Sequence, residues 1–412
     1  MNCLKQILKR GEYDMKYNFD EPVSRKGTGC CEWDASDEYF QFWGMGDKVP
    51  ENAICLSTAD MDFYCPPCVK DALHKLVDQN LYGYFSADPS IATEYVASVA
   101  NWYKKRYGWE ISPKDVMYVN GTCNALEIVV KNLTQKGDGV LITPPVYYPF
   151  YSIIEGSERN VVASNLVETD MYYTINWEDF EAKAALETTK MCIFCSPHNP
   201  SGRVWTKEEL KKVYDICTKH GVIVVCDELH GDLIRTNQKF VTMGLVADEK
   251  NNLVICSGAN KTFNIAGLQA SHMLTPNPEY KDILFPVASG IFPNPFPIHA
   301  VTAAYNEGEE WLEELKAYLD GNLEFAVNFL KENMPTVKAI VPEGTYIIWM
   351  DFRGYGLSDE EIHDRIWEKA AVIYEDGMLF DHENGQGFVR LCLGTQRAVI
   401  KEALERIAEQ FK

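Results

Sequence analysis

From about residue 85 the chain alternates helical patterns with short apolar, β-branched runs, and this alternation constrains the fold more than any other feature. The runs are DVMYVNG at 115–121, GVLITPP at 139–145, MCIFCSPHN at 191–199, VIVVCDELH at 222–230 and LVICSGA at 253–259. They are apolar on successive residues rather than on every second one, which marks strands covered on both faces. Helical patterns stand between them, such as DPSIATEYVASVANWYKKRYG at 88–108 and NALEIVVKNL at 124–133. Short buried strands separated by helices predict an α/β fold with a mainly parallel sheet.

The best-specified helix covers 207–219. Thr206 and Glu209 have capping-box spacing, Leu210, Val213, Tyr214 and Cys217 recur at helical intervals, and Gly221 follows the end. Beyond about residue 285 the pattern changes to long helices around 309–333, a strand GTYIIWMDF, a helix, a strand GFVRLCLG and a last helix AVIKEALERIAEQF. This predicts a large domain over 63–285 and a smaller α/β domain made of 286–412 together with 15–62. Met15 reads as a natural start, so residues 1–14 are expected to be a poorly ordered extension.

At 412 residues and 46% hydrophobic content the chain can bury a sizeable core. Its formal charge of −21, with no basic stripe, argues against a nucleic-acid partner. No apolar run spans a bilayer and the start lacks a signal-peptide core, so a cytoplasmic protein with no membrane partner is expected. Thirteen scattered cysteines, several inside apolar strands, are expected to be reduced. A redox or metal reading of Cys65 and Cys68 has no second pair at metal spacing, and Pro66-Pro67 reads better as a helix start.

In an open α/β sheet, ligands bind at the carboxyl ends of the strands, and four motifs lie there. Gly121, Thr122 and Cys123 stand where a strand passes into a helix, so free backbone N–H groups can hold a phosphate, although many such turns carry Gly-Thr. Asn199 lies in a Pro-bounded turn, where its amide either donates to a ligand oxygen or merely shapes the turn. Asp227 ends an apolar strand, three residues before His230, and is either a helix cap or a carboxylate waiting for a cation or donor. A metal site at Asp227, Glu228 and His230 lacks further ligands at recognisable spacing, so no metal is expected. Lys261 follows the next strand in CSGANKTFNIAGL. A phosphate nest, a carboxylate for a ring N–H, an amide for a ring oxygen and a lysine for an aldehyde together are the set that holds pyridoxal phosphate as a Schiff base.

With these residues the chain resembles the fold-type-I pyridoxal-phosphate enzymes of the aspartate aminotransferase superfamily (class I/II), and among them the MalY/PatB-type cystathionine β-lyases. The resemblance is carried by TADMDF (58–63), PPVYYPF (144–150), SPHNPSGRVWT (196–206), DELHGDLI (227–234), KTFNIAGL (261–268), PEGTYIIWMDF (342–352) and GFVRLCLG (387–394). It implies that Lys261 binds the cofactor aldehyde, Asp227 pairs with the pyridinium nitrogen, and Asn199 and His230 lie at the phenolic oxygen. It further implies Tyr147 stacked on the ring, Gly121, Thr122 and Cys123 at the phosphate, and Arg390 gripping the substrate α-carboxylate. Tyr84 matches a tyrosine that reaches the neighbouring subunit's phosphate, which implies a homodimer with shared sites.

The implied reaction is β-elimination from cystathionine or a related sulfur amino acid, releasing thiol, pyruvate and ammonia. An aminotransferase would use the same residues up to removal of the Cα proton, and some members of the group also bind a transcription activator. Four stretches depart from the family pattern, one of them Glu32-Trp33-Asp34 in place of Lys-Trp-Asp. Gly258-Ala259-Asn260 replaces a segment that usually ends in a small hydroxyl residue, so Ser257 or Asn260 would have to supply that phosphate contact. Ser57-Thr58 replaces Trp-Val near the substrate entrance, and Asn120-Gly121-Thr122 replaces Pro-Gly-Val.

Overall fold

The apolar runs assemble into one seven-stranded sheet. The computed structural model describes residues 15–34, 36–42, 45–46, 48–86, 88, 90–248, 251–289 and 292–412. The proposed extension, 1–14, lies outside the described residues. The strands are β1 (Val116–Asn120), β2 (Gly139–Ile142), β3 (Asn160–Ala163), β4 (Thr189–Cys195), β5 (Ile223–Asp227), β6 (Leu253–Ser257) and β7 (Ala270–Leu274), in the order β1-β7-β6-β5-β4-β2-β3. β7 is antiparallel to both neighbours, and the remaining pairs are parallel.

The unbroken apolar letters have a direct cause in the packing. Successive residues of each strand enter different cores: Leu141, Cys192, Phe194, Val224 and Cys226 face one layer, while Val140, Ile142, Met191, Ile193 and Val225 face the other. The first layer is closed by the helices Thr93–Tyr107 and Lys207–Lys219, the second by Thr122–Leu133 and Pro149–Gly156. Full burial of side chains of this size contributes roughly 1.5–3 kcal/mol each, more than helix propensity supplies.

A second sheet carries β8 (Ile347–Asp351), β9 (Glu375–Asp376) and β10 (Phe388–Cys392) in the antiparallel order β8-β10-β9. Helices Glu309–Asn333 and Arg397–Glu409 pack on it through Leu323, Val327 and Leu330 and through Ile400, Leu404 and Ile407. The N-terminal segment joins this part, because Ile54–Cys55 pairs in parallel with Val372–Ile373.

Two strands of the seven-stranded sheet escape the sequence patterns. β3 is a short edge strand with no fully buried position, and β7 hides behind the polar residues Ser271 and His272, both fully buried. The helix expected from residue 88 begins at Thr93, because the Asp88 carbonyl accepts from the Ile91 and Ala92 N–H groups in a separate turn. Pro67 does start a helix, Pro67–Gln79, which takes Cys68 into its first turn.

The Lys207–Lys219 helix has both capping-box bonds: Glu209 N–H donates to Thr206 Oγ1 at 3.1 Å, and Thr206 N–H donates to Glu209 Oε2 at 2.8 Å. Thr206→Ala is expected to cost about 1 kcal/mol of stability. Thermal unfolding should show the lower Tm.

Candidate active site

Parallel strands must end on one edge of the sheet, so the loops leaving them meet there. Gly121, Thr122 and Cys123 follow β1, Tyr147 follows β2, Asn199 follows β4, Asp227 closes β5 with His230 just beyond, and Lys261 follows β6. Arg390 comes from β10 of the second sheet. One cavity is lined by Tyr147, Asn199, Asp227, His230, Lys261 and Arg390, together with Ala59, Tyr148, Cys195 and Glu375. Cys123 Sγ lies 3.8 Å from the Tyr147 hydroxyl, which puts the turn after β1 beside it. Tyr84 is elsewhere: it is 91% exposed, with its ring 4.7 Å from that of Phe292.

The half-buried Lys261 donates to the Ala59 carbonyl, which also accepts from the Tyr346 hydroxyl at 2.8 Å. Asp227 is buried, and its Oδ1 accepts from Leu229 N–H at 3.1 Å. Burial pushes its carboxyl up to about 6, against the opposing pull of that N–H and of Lys261. Burial, helped by Lys261 and Arg390, pulls His230 down to about 3, so its imidazole is neutral. His230 Nδ1 is buried without a hydrogen-bond partner among the described residues.

Arg390 is buried and makes three polar contacts among the described residues. Nη1 donates to Asn199 Oδ1 at 3.1 Å, Nη2 donates to the Ser57 carbonyl at 2.7 Å, and Nη2 also pairs with Glu375 Oε2. The first bond fixes the Asn199 amide, since its oxygen faces the guanidinium and its NH₂ is left as the donor. Glu375, opposite Arg390 in the β9–β10 register, was not found by the sequence reading. Its only signal is a carboxylate ending the apolar run AVIYE.

The departures from the family pattern have a local logic. Asn260 does not point its polar atoms at the turn after β1. Its Nδ2 donates to Ser271 Oγ at 3.1 Å and its Oδ1 accepts from Ala270 N–H at 3.2 Å. Ser271 Oγ is in turn 2.8 Å from Thr122 Oγ1. Ser257 Oγ donates to the Glu228 carbonyl at 3.2 Å. A Cβ on Gly258 would lie 2.7 Å from the Ala270 carbonyl, so a side chain there would push β7 away. Gly121 has φ +79°, a conformation that L side chains rarely adopt, and no side chain among the described residues caps the Thr122–Leu133 helix that follows it.

A lysine, a carboxylate, an amide and an uncapped helix start at one sheet edge form a cofactor-type site, and the rest of the chain agrees. The model of the family "Aminotransferase class I and II" matches residues 51–407. The chain belongs to this family. Among its relatives, cystathionine β-lyase PatB of Bacillus subtilis is 37% identical over 397 residues, 95% of this chain and 98% of that protein. Cystalysin from Treponema denticola, a structure containing pyridoxal 5'-phosphate, superposes with TM-score 0.89 at 32% identity over 96% of this chain and 99% of that one. The pyridoxal-phosphate-bound C-S lyase of Staphylococcus hominis gives 0.88 at 30% identity over 97% and 99%. The fold is therefore the α/β fold type I of the aspartate aminotransferase kind.

Among the described residues of this family member, no group of three or more His, Cys, Asp or Glu side chains is placed to hold a metal ion. Nor is any helix long and apolar enough to cross a membrane.

The Asp227 carboxyl sets a pH test. Its native value is raised above the unfolded one, so its stabilising contribution is complete below the unfolded value and is lost as pH rises through about 6. Asp227→Asn removes that loss. In protein stripped of small ligands, the variant should melt above the wild type near pH ~7, with the difference gone near pH ~4. Equal melting at both would contradict the buried, unpaired state of this carboxylate.

Proposed function

We propose that this protein holds pyridoxal 5'-phosphate and cleaves a C–S bond by β-elimination, using cystathionine or a related sulfur amino acid and water to give thiol, pyruvate and ammonia. The observation that carries the reading is the meeting of Lys261, Asp227, Asn199 and Arg390 in one cavity, in a chain whose relatives bear lyase names. The residues suit the group: His230 Nδ1 and Arg390 Nε are buried without hydrogen-bond partners among the described residues, and the turn at Gly121 leaves an uncapped helix start for a phosphate.

Bound there, the cofactor supplies an aldehyde carbon that reacts with amines and a ring that accepts electrons. Lys261 would be the residue that holds the cofactor covalently, and its free amine would be the base that takes the Cα proton. Its amine donates to the Ala59 carbonyl, which lines the same cavity. Asp227 keeps the ring nitrogen protonated, and a cation beside it would answer the cost of its burial. The Asn199 NH₂ and the neutral His230 ring serve the phenolic oxygen, and Tyr147 covers the ring face. Backbone N–H groups of Thr122 and Cys123 take the phosphate, with the Thr122 hydroxyl oriented by Ser271. Arg390 takes the substrate α-carboxylate.

The division into a cofactor-holding domain, 63–285, and a closing domain of 15–62 with 286–412 belongs to the same reading. It is supported by the pairing of Ile54–Cys55 with Val372–Ile373. The helix Pro295–Glu307, however, packs on Pro67–Gln79 and Thr93–Tyr107 and so sits with the large domain. A homodimer is supported by the exposed apolar side chains Leu81, Tyr82, Tyr84 and Phe292 gathered on one surface. All cysteines among the described residues are free, which suits the cytoplasm.

The purified protein should be yellow, and borohydride should fix the cofactor on the peptide containing Lys261. Lys261→Ala should lose both the colour and the turnover. Cystathionine should yield thiol and pyruvate with no keto acid added; a strict need for a keto acid would make the protein an aminotransferase instead. Tyr84→Phe should weaken cofactor retention although Tyr84 lies outside its own chain's cavity, and unchanged retention would contradict shared sites.

A further inference from the structure

The Arg390 guanidinium is already occupied by a carboxylate of its own chain. A carboxylate takes a guanidinium bidentately on one of two edges, Nε with Nη2 or Nη1 with Nη2, and Nη2 belongs to both. Here Nη2 donates to the Ser57 carbonyl and forms an ion pair with Glu375 Oε2, while Nε has no hydrogen-bond partner among the described residues. An incoming carboxylate that binds bidentately must therefore displace one of these two groups from Nη2. The Ser57 carbonyl is backbone next to the Ile54–Cys55 strand, whereas Glu375 is a side chain with three rotatable bonds.

We infer that Glu375 sets substrate affinity by competing with the substrate carboxylate for Arg390, and that it takes up a proton when it yields. This rests on the reading of Arg390 as the carboxylate grip. Two carboxylates on one buried guanidinium cannot both stay ionised cheaply. The incoming group arrives as an anion, so the balance is one proton from solvent onto Glu375, which then turns from ion-pair partner to hydroxyl donor. The groups facing it are Arg390 and Cys392 of β10, Tyr148 and Tyr147 before the Pro149–Gly156 helix, and Lys261. Tyr148 donates to Glu375 Oε1 at 3.4 Å, so a hydrogen bond stays with it after the ion pair is lost. Burial already favours the protonated form against the pull of Arg390, Tyr148 and Lys261.

The test uses the holoenzyme and 3-(methylsulfanyl)propanoate, a carboxylate with no amino group to react with the cofactor. Calorimetry in two buffers of different ionisation enthalpy should show uptake of about one proton per ligand bound, with affinity falling by up to tenfold per pH unit as pH rises above the free Glu375 value. Glu375→Gln should bind on the order of tenfold tighter, with no proton uptake and no pH slope. If that variant folds poorly, Glu375→Asp, with a shorter reach to Nη2, should bind more tightly than wild type. No proton uptake by the wild type, or no gain in affinity in either variant, overturns the inference. Arg390→Lys separates the two readings: unchanged affinity for the probe sinks the role of Arg390 itself, while weakened affinity leaves that role standing whatever Glu375 does.

Discussion

Burial of the sheet on both faces is the constraint from which the site follows. A strand whose successive residues enter two different cores has no side chain to spare for chemistry along its length. Functional groups are left to the ends, and parallel connection puts all the carboxyl ends on one edge. Asp227 is the limiting case, the last residue of β5, where the apolar run stops and a carboxylate begins. Lys261, Asn199, Tyr147 and the turn at Gly121 reach the same place from four other strands.

Converging loops are not yet a site, because loops move. Here the loops carrying Asp227 and Lys261 are tied down by polar groups next to the functional ones. Glu228, beside Asp227, accepts from the Thr242 hydroxyl and from Met243 N–H at 2.7 Å. Thr262, beside Lys261, donates to Asp232 at 3.0 Å, and Asp232 also accepts from Tyr107 at 2.6 Å and from Trp102. Asn264 donates to the Met61 and Phe63 carbonyls, and so binds the lysine loop to the segment whose Ala59 carbonyl holds Lys261. The motifs DELHGD and KTFN are thus read in pairs: one residue faces the cavity and its neighbour anchors it.

This pairing explains what the sequence discloses and what it hides. The layers, the Lys207–Lys219 helix and the residues at strand ends are legible because they follow from periodicity, capping and position in a parallel sheet. Glu375 and Ser271 are not. Neither has a local pattern: Glu375 matters because register sets it opposite Arg390, and Ser271 because it stands between Asn260 and Thr122. β7 itself was missed for the same reason, since its polar letters are satisfied or packed only by partners distant in sequence. His272, with no hydrogen-bond partner for either ring nitrogen among the described residues, lies edge-on to Tyr103 and Tyr305.

The stretch Gly258-Ala259-Asn260 shows how a departure from a family pattern can be absorbed without loss of architecture. Asn260 reaches sideways, closing the Ala270 N–H with its oxygen and handing its amide hydrogen to Ser271. The approach works only because Gly258 carries no Cβ to push β7 away. The contact then reaches the turn after β1 through Thr122, whose Oγ1 lies 2.8 Å from Ser271 Oγ. Gly258, Asn260 and Thr122 are therefore linked through one set of contacts: Asn260 donates to Ser271 Oγ, and Ser271 Oγ meets Thr122 Oγ1. Exchange of Asn260 alone for serine would leave the Ala270 N–H and one side of Ser271 without their partner, so the family residue does not suit this chain unless its neighbours change with it.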